Sequence, residues 1–194
     1  PEMVNPQSEL YQKHPDWIIT QPKREPILGR HQEILDLTRP EVQAFEWDII
    51  DKTLRPNPDI TYVKWDCNRY ITQPGSSYLQ PADQSHLWID YNWALYRLMG
   101  RFAKGFPNVM AMLCAGGSGR VDYGAMPYFH SFWPSDNTDP LGRIKIQWGF
   151  SHFFPANTIS AHVTRMGKRH LKMAIDVALS GCLLYTSPSP RDRS

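Results

Sequence analysis

Two short stretches of this 194-residue chain combine residue types that can do chemistry. The first is Tyr62-Val63-Lys64-Trp65-Asp66-Cys67-Asn68-Arg69. Side chains two apart on a strand share a face, so Lys64 and Asp66 project together. A cation beside a carboxylate favours the charged form, which suits a nucleophile that must be ionised at working pH. The second is Phe132-Trp133-Pro134-Ser135-Asp136-Asn137-Thr138-Asp139-Pro140. Asp139 directly precedes a proline at a helix start, the position of an N-cap, and takes a structural role. Asp136 is left for chemistry, in a loop beside Trp133, where desolvation by an aromatic would suit a general acid. One ionised carboxylate and one proton donor are the minimal apparatus for cleaving a glycosidic bond.

A third stretch, Cys114-Ala115-Gly116-Gly117-Ser118-Gly119-Arg120, puts a glycine-rich loop after an apolar run. Glycines let a backbone approach a ligand closely. No Gly-Lys-Ser/Thr follows, so this is not a phosphate loop, and the Gly-x-Gly-x-x-Gly dinucleotide pattern is absent. Cys114 reads either as a buried structural thiol or as a group facing a ligand. His130, His152, His162 and His170 show neither a helical i, i+4 pair nor zinc spacing, so they read as core or surface histidines. No metal and no organic cofactor are expected.

The elements that must position these residues alternate between strand and helix. Ile34-Leu35-Asp36-Leu37 ends an apolar run, and Thr38-Arg39-Pro40-Glu41 reads as a capping box opening a helix with Val42, Phe45, Ile49 and Ile50 as its stripe. Ile60 to Trp65 predicts a strand. A following helix carries Leu87, Trp88, Tyr91, Leu95, Leu98, Met99 and Phe102 inward and ends at Gly105 and Pro107. Val109 to Leu113 and a short run ending near Trp133 predict further strands. Asp139-Pro140 starts a helix through Ile144, Ile146 and Trp148, and Ile159–Val163 with Leu171–Leu179 form a last strand–helix pair. Recurring strands with intervening helices imply a parallel sheet. Asp66, Cys114, Asp136 and Thr164 fall just past the C-terminal ends of strands, which favours an α/β fold of the (β/α)8 TIM-barrel kind, incomplete, with about the last five βα units in residues 1–181.

Pro1-Glu2-Met3-Val4-Asn5-Pro6, Lys64 to Arg69, Cys114 to Arg120 and Ser135-Asp136-Asn137-Thr138-Asp139, in this order and at these separations, resemble family 36 glycoside hydrolases, mostly bacterial α-galactosidases or melibiases. The resemblance covers residues 1–181. It implies a retaining hydrolase of terminal α-D-galactosyl residues in raffinose- or melibiose-type oligosaccharides, with Asp66 as nucleophile and Asp136 as acid/base. It further implies that Arg30, Lys64, Asn68, Cys114, the Gly116-Gly117 backbone and Trp133 line a galactose pocket. Ala115 and Ser118 depart from the commonest version of the family's loop, which reads Ser and Gly there. Within the same family, an α-N-acetylgalactosaminidase or a raffinose-synthase-like galactosyltransferase is the nearest alternative, and a non-catalytic sugar-binding barrel is a more distant one. Full-length relatives of this kind are often oligomers.

Composition sets outer bounds. The chain is 41% hydrophobic and 21% charged with a net charge of +2, ordinary for a globular protein. Its basic residues are scattered, and the run from Arg165 to Lys172 is broken by Met166, Gly167 and His170, which gives no basis for a nucleic-acid partner. No apolar run approaches the roughly 20 residues of a membrane span. Cys67, Cys114 and Cys182 make no disulfide framework. Residues 182–194 turn Ser/Pro/Arg-rich and resemble a translated sequencing adapter, so they are set apart as a non-native, disordered tail. The expectation is a partial catalytic domain that is inactive and aggregation-prone alone, in a compartment its sequence leaves open.

Overall fold

A computed structural model describes residues 2–183. The adapter-like stretch from 184 onward lies outside them.

The first elements form a small antiparallel unit. Strand β1 (Met3–Val4) pairs with β2 (Glu33–Ile34), Met3 opposite Ile34, and α1 (Glu9–Lys13) lies between, capped by Ser8. This pairing departs from the uniformly parallel sheet expected. Helix α2 (Pro40–Leu54) follows with Pro40 in its first turn. The expected capping box does not form. Arg39 holds the cap position, and the Thr38 hydroxyl donates instead to Asp36 Oδ1 at 2.6 Å. A carboxylate two residues upstream captures the hydroxyl before the helix can use it.

From residue 62 the chain is α/β. Strand β3 (Tyr62–Asp66), helix α3 (Leu87–Gly105), β4 (Met110–Cys114), β5 (Ser131–Phe132), α4 (Pro140–Ser151), β6 (Ser160–Ala161), α5 (Leu171–Ala178) and β7 (Cys182–Leu183) follow in order. β3, β4 and β5 are neighbours and parallel, with Asp66 opposite Cys114. A parallel bridge between Phe132 and Ile159 links β5 to the β6 side, and β6 pairs in parallel with β7. Neighbours in space are thus neighbours in sequence. β7 takes in Cys182 and Leu183, the first two residues of the stretch the sequence set apart.

Strand alternation divides the two faces of β3 and β4. Trp65, Ala111 and Leu113 point into the main core with Leu87, Leu98, Met99 and Phe102 of α3. Met112 and Cys114 point the other way and form a separate cluster with Trp133. By register, Lys64 faces Met112 and Asp66 faces Cys114, so both charged residues lie on this second face.

Three helices expose residues expected on their buried stripes. Trp88 is 48% exposed although it was placed on the inner side of α3, since Leu87, Tyr91, Ala94 and Leu98 already fill that side. On α4, Ile144 and Trp148 are 48% and 68% exposed, and the buried stripe is Pro140, Arg143, Gln147 and Phe150. Ile49 of α2 likewise faces out. No helix among the described residues is long and apolar enough to cross a membrane.

Candidate active site

Asp66 closes β3, and Lys64 Nζ lies 3.1 Å from its Oδ2. Burial works to raise the Asp66 carboxyl, but hydrogen bonding from Asn68, Lys64 and Cys114, with the Lys64 charge, holds it below the ordinary carboxylate value. Its Oδ1 is buried and, among the described residues, makes no hydrogen bond of ordinary geometry. Burial disfavours the Lys64 ammonium, yet Asp66 and, with it, Asp136 hold its pKa above the usual lysine value. Asp136 therefore lies within electrostatic reach of the Lys64–Asp66 pair. Cys114, the residue opposite Asp66, is buried, and burial pushes its thiol up, so it stays protonated.

A chain of contacts runs from Asp66 to Asp136. The Gly116 amide donates to Asn68 Oδ1 at 2.6 Å, tying the loop after β3 to the glycine-rich loop after β4. Gly116 and Gly117 both adopt positive φ, 59° and 96°. A Cβ at Gly117 would sit 3.3 Å from Ser135 Cα and 3.5 Å from Pro134 O, so only glycine lets this loop pack so closely on the backbone beside Asp136. Asp136 itself is exposed, not desolvated as the sequence suggested. Trp133 reaches it as a donor, Nε1 to Oδ1 at 2.7 Å.

Asp139 does cap α4, accepting from the Leu141 amide at 3.4 Å, and it pairs with Arg169 at 3.2 Å. The loop between is stitched locally: Ser135 Oγ accepts from Asn137 N, and Asn137 Oδ1 from Asp139 N. Thr164 joins Thr138 through their hydroxyls at 2.7 Å, a structural link.

Arg30 stands apart from these groups. It is exposed, with φ 54°, beside His31 at φ 60°, in the two-residue turn between paired Gly29 and Gln32. Arg69 ties that turn to the loop after Asp66, donating to Gln32 O at 3.0 Å and to Ile27 O, and lying 3.4 Å from Glu33. The structure thus gathers Lys64, Asp66, Asn68, Cys114, Gly116, Gly117, Trp133 and Asp136 in one region, with Arg30 on a hairpin clamped to its edge.

Sequence reasoning missed two side chains behind Trp133. Arg143 of α4 is 2% exposed, and its guanidinium carbon lies over the Trp133 ring at 4.6 Å. Burial lowers its pKa to about 10, with Asp136 acting in the opposite sense. His162, just after β6, meets the same indole edge-on at 4.4 Å. Burial first, then Arg143 and Lys64, lower its pKa, which leaves the imidazole neutral near pH 7. The signal was the stripe Arg143, Gln147 and Phe150 at helical spacing, hidden by the apolar Ile144 and Trp148. Of the other histidines, His130 Nδ1 accepts from the Ala111 amide and His170 caps α5. No group of three or more His, Cys, Asp or Glu with metal-binding geometry occurs among the described residues.

Comparison with known proteins adds the following. The melibiase family model matches residues 1–186. The chain is 42% identical over 191 residues to the α-galactosidase AgaA of Geobacillus stearothermophilus, covering 95% of this chain and 26% of that protein. A crystal structure of an AgaA variant in complex with raffinose superposes with a TM-score of 0.90 at 41% identity, over 95% of this chain and 26% of that one. The α-galactosidase of Lactobacillus brevis superposes with a TM-score of 0.91 at 39% identity, over 99% and 27%. The chain therefore spans about a quarter of the length of the relatives it matches.

Proposed function

Because the chain belongs to the melibiase family, we propose that it carries the two catalytic carboxylates of a retaining α-galactosidase, a hydrolase of terminal α-D-galactosyl residues in raffinose- and melibiose-type oligosaccharides. The observation that carries this reading is the Lys64–Asp66 pair at a strand end, 3.1 Å apart, within electrostatic reach of a second carboxylate on a neighbouring strand-end loop. In the same reading, strands β3 to β6 and their helices belong to the last part of an eight-stranded (β/α) barrel, residues 1–181 being a partial catalytic domain and 182–194 an appended tail.

The reaction is a double displacement. An Asp66 carboxylate oxygen attacks the anomeric carbon as the glycosidic C–O bond breaks, and Asp136 gives its proton to the departing oxygen. Asp136 then takes a proton from water, whose oxygen attacks the same carbon and frees Asp66, releasing galactose with its α configuration retained. Lys64 keeps Asp66 ionised for the first step. Arg30, Lys64, Asn68, Cys114, Gly116, Gly117 and Trp133 bind the sugar. The raffinose and stachyose held by the Geobacillus relatives support an oligosaccharide substrate. Proton transfer and nucleophilic attack use these side chains alone, with no metal or cofactor.

The test is to complete the reading frame and assay the protein on aryl α-galactoside and aryl α-N-acetylgalactosaminide beside Asp66→Ala. Galactosidase activity lost in the variant supports the reading. Activity confined to the acetamido sugar keeps the mechanism and changes the substrate. A folded protein inactive on both overturns it.

A further inference from the structure

The Trp133 indole is held from three directions. Its Nε1–H donates to Asp136 Oδ1 at 2.7 Å, the Arg143 guanidinium covers its face at 4.6 Å, and His162 abuts it at 4.4 Å. Arg143 is the unusual member. It is buried, and among the described residues its guanidinium makes one hydrogen bond, a 3.5 Å contact from Nη1 to Ser160 O, while Nε and Nη2 have no partner there. A buried guanidinium with unmet donors is costly to the fold, and packing alone would be served better by methionine or leucine. Its charge, however, acts in two useful places. A cation over an indole face withdraws electron density from the ring and makes the N–H a stronger donor. The same charge also acts on Asp136 through space.

We propose that Arg143 is a positioning residue for Asp136, acting through Trp133, with His162 bracing the indole. The inference rests on the acid/base role assigned to Asp136 above. Because Oδ1 is occupied by the indole N–H, the acidic proton resides on Oδ2, and that oxygen alone is presented to the leaving group. As the proton departs, the carboxylate left behind is met by a donor already aimed at it and by a cation behind that donor. Among the described residues Nε2 of His162 has no hydrogen-bond partner, as fits a ring placed for contact with the indole.

A misplaced general acid is felt only where the leaving group needs a proton. The experiment therefore uses the full-length protein and compares kcat/KM on raffinose, whose sugar alkoxide must be protonated, with α-galactosyl fluoride, whose fluoride needs far less help. Trp133→Phe, which keeps the ring and removes the N–H, and Arg143→Met are expected to lose on the order of 10- to 100-fold more on raffinose than on the fluoride, a fraction of what a general acid contributes. Arg143→Lys should recover part of that difference. Equal losses on both substrates, or no loss in either variant, overturn the inference. Should Arg143→Met fail to fold by thermal unfolding, Trp133→Phe decides. Asp136→Ala runs alongside: if it too loses equally on both substrates, the acid/base assignment itself falls, whereas a large difference there with none in Trp133→Phe and Arg143→Met rejects the positioning role alone.

Discussion

The amide of Gly116 donates to the Asn68 side chain at 2.6 Å, so the loop that follows the strand of Asp66 is tied to the glycine-rich loop beside it. Asn68 also helps hold the Asp66 carboxyl below its ordinary value. One side chain thus orients a backbone that can reach a ligand and favours the charged form of the group that would attack it.

Asn68→Ala removes both effects. The Gly116 amide loses its acceptor, and a hydrogen bond at this exposed position is worth about 1 kcal/mol. On the full-length protein, KM for an aryl α-galactoside is expected to rise on the order of 5-fold on that energy, with a smaller fall in kcat. Unchanged steady-state constants would separate the two loops functionally.

Lys64→Met acts first on Asp66, its ion-pair partner. Folding holds this carboxyl below 3.8, so its contribution to stability is complete above that pH and is lost as pH falls through the lower folded value. Without the ammonium, burial acts against fewer compensating groups, the carboxyl rises, and the acid limb of the kcat/KM profile moves to higher pH. A pH–rate profile of the variant checks this. The stability change is expected to be small, because Lys64 is 45% exposed and water screens the pair.

The two aspartates of the second loop should separate cleanly. Asp139→Ala removes the cap of α4 and the partner of Arg169, so it lowers Tm by a few degrees and leaves turnover on an aryl galactoside largely intact. Asp136→Ala should do the reverse, cutting turnover by roughly 10²- to 10⁴-fold while Tm hardly moves. Differential scanning calorimetry beside steady-state kinetics distinguishes them, and a swap of the two phenotypes would reassign the carboxylates.

Much of this arrangement was legible in the sequence where a short-range rule applies. Strand alternation put Lys64 and Asp66 on one face, and the Asp-Pro pair marked Asp139 as a cap, because both depend on neighbours within two or three residues. Thr38 was misread because its competitor, Asp36, offers the hydroxyl a charged acceptor that the capping rule does not weigh. Arg143 was invisible for a different reason. Hydropathy points Ile144 and Trp148 inward, yet the helix turns a cation, Gln147 and Phe150 to the sheet, a choice set by Trp133 on another element. The same holds for Arg30, whose turn is fixed by Arg69, 39 positions further along.

Glu2 lies on the opposite side of β3, against Trp65. It is fully buried, accepts from Trp65 Nε1 at 2.9 Å and pairs with Arg120 at 2.8 Å, while Arg120 also reaches the Tyr91 hydroxyl at 3.4 Å. Burial alone would raise the Glu2 carboxyl, and Arg120 is a leading reason it is instead lowered to about 2. Arg120→Met leaves a buried carboxylate without its counter-charge and is expected to cost about 3–5 kcal/mol near neutral pH. The sign of the pH dependence follows from the lowered value: the stabilisation is complete above 4.5 and is lost as pH falls toward 2. The Tm gap between the parent protein and Arg120→Met should therefore be widest at pH 7 and narrow in acid. Because Trp65 sits between Glu2 and Asp66, the variant should also lose turnover in the protein that remains folded. A Tm gap independent of pH would mean that Arg120 contributes packing and not charge.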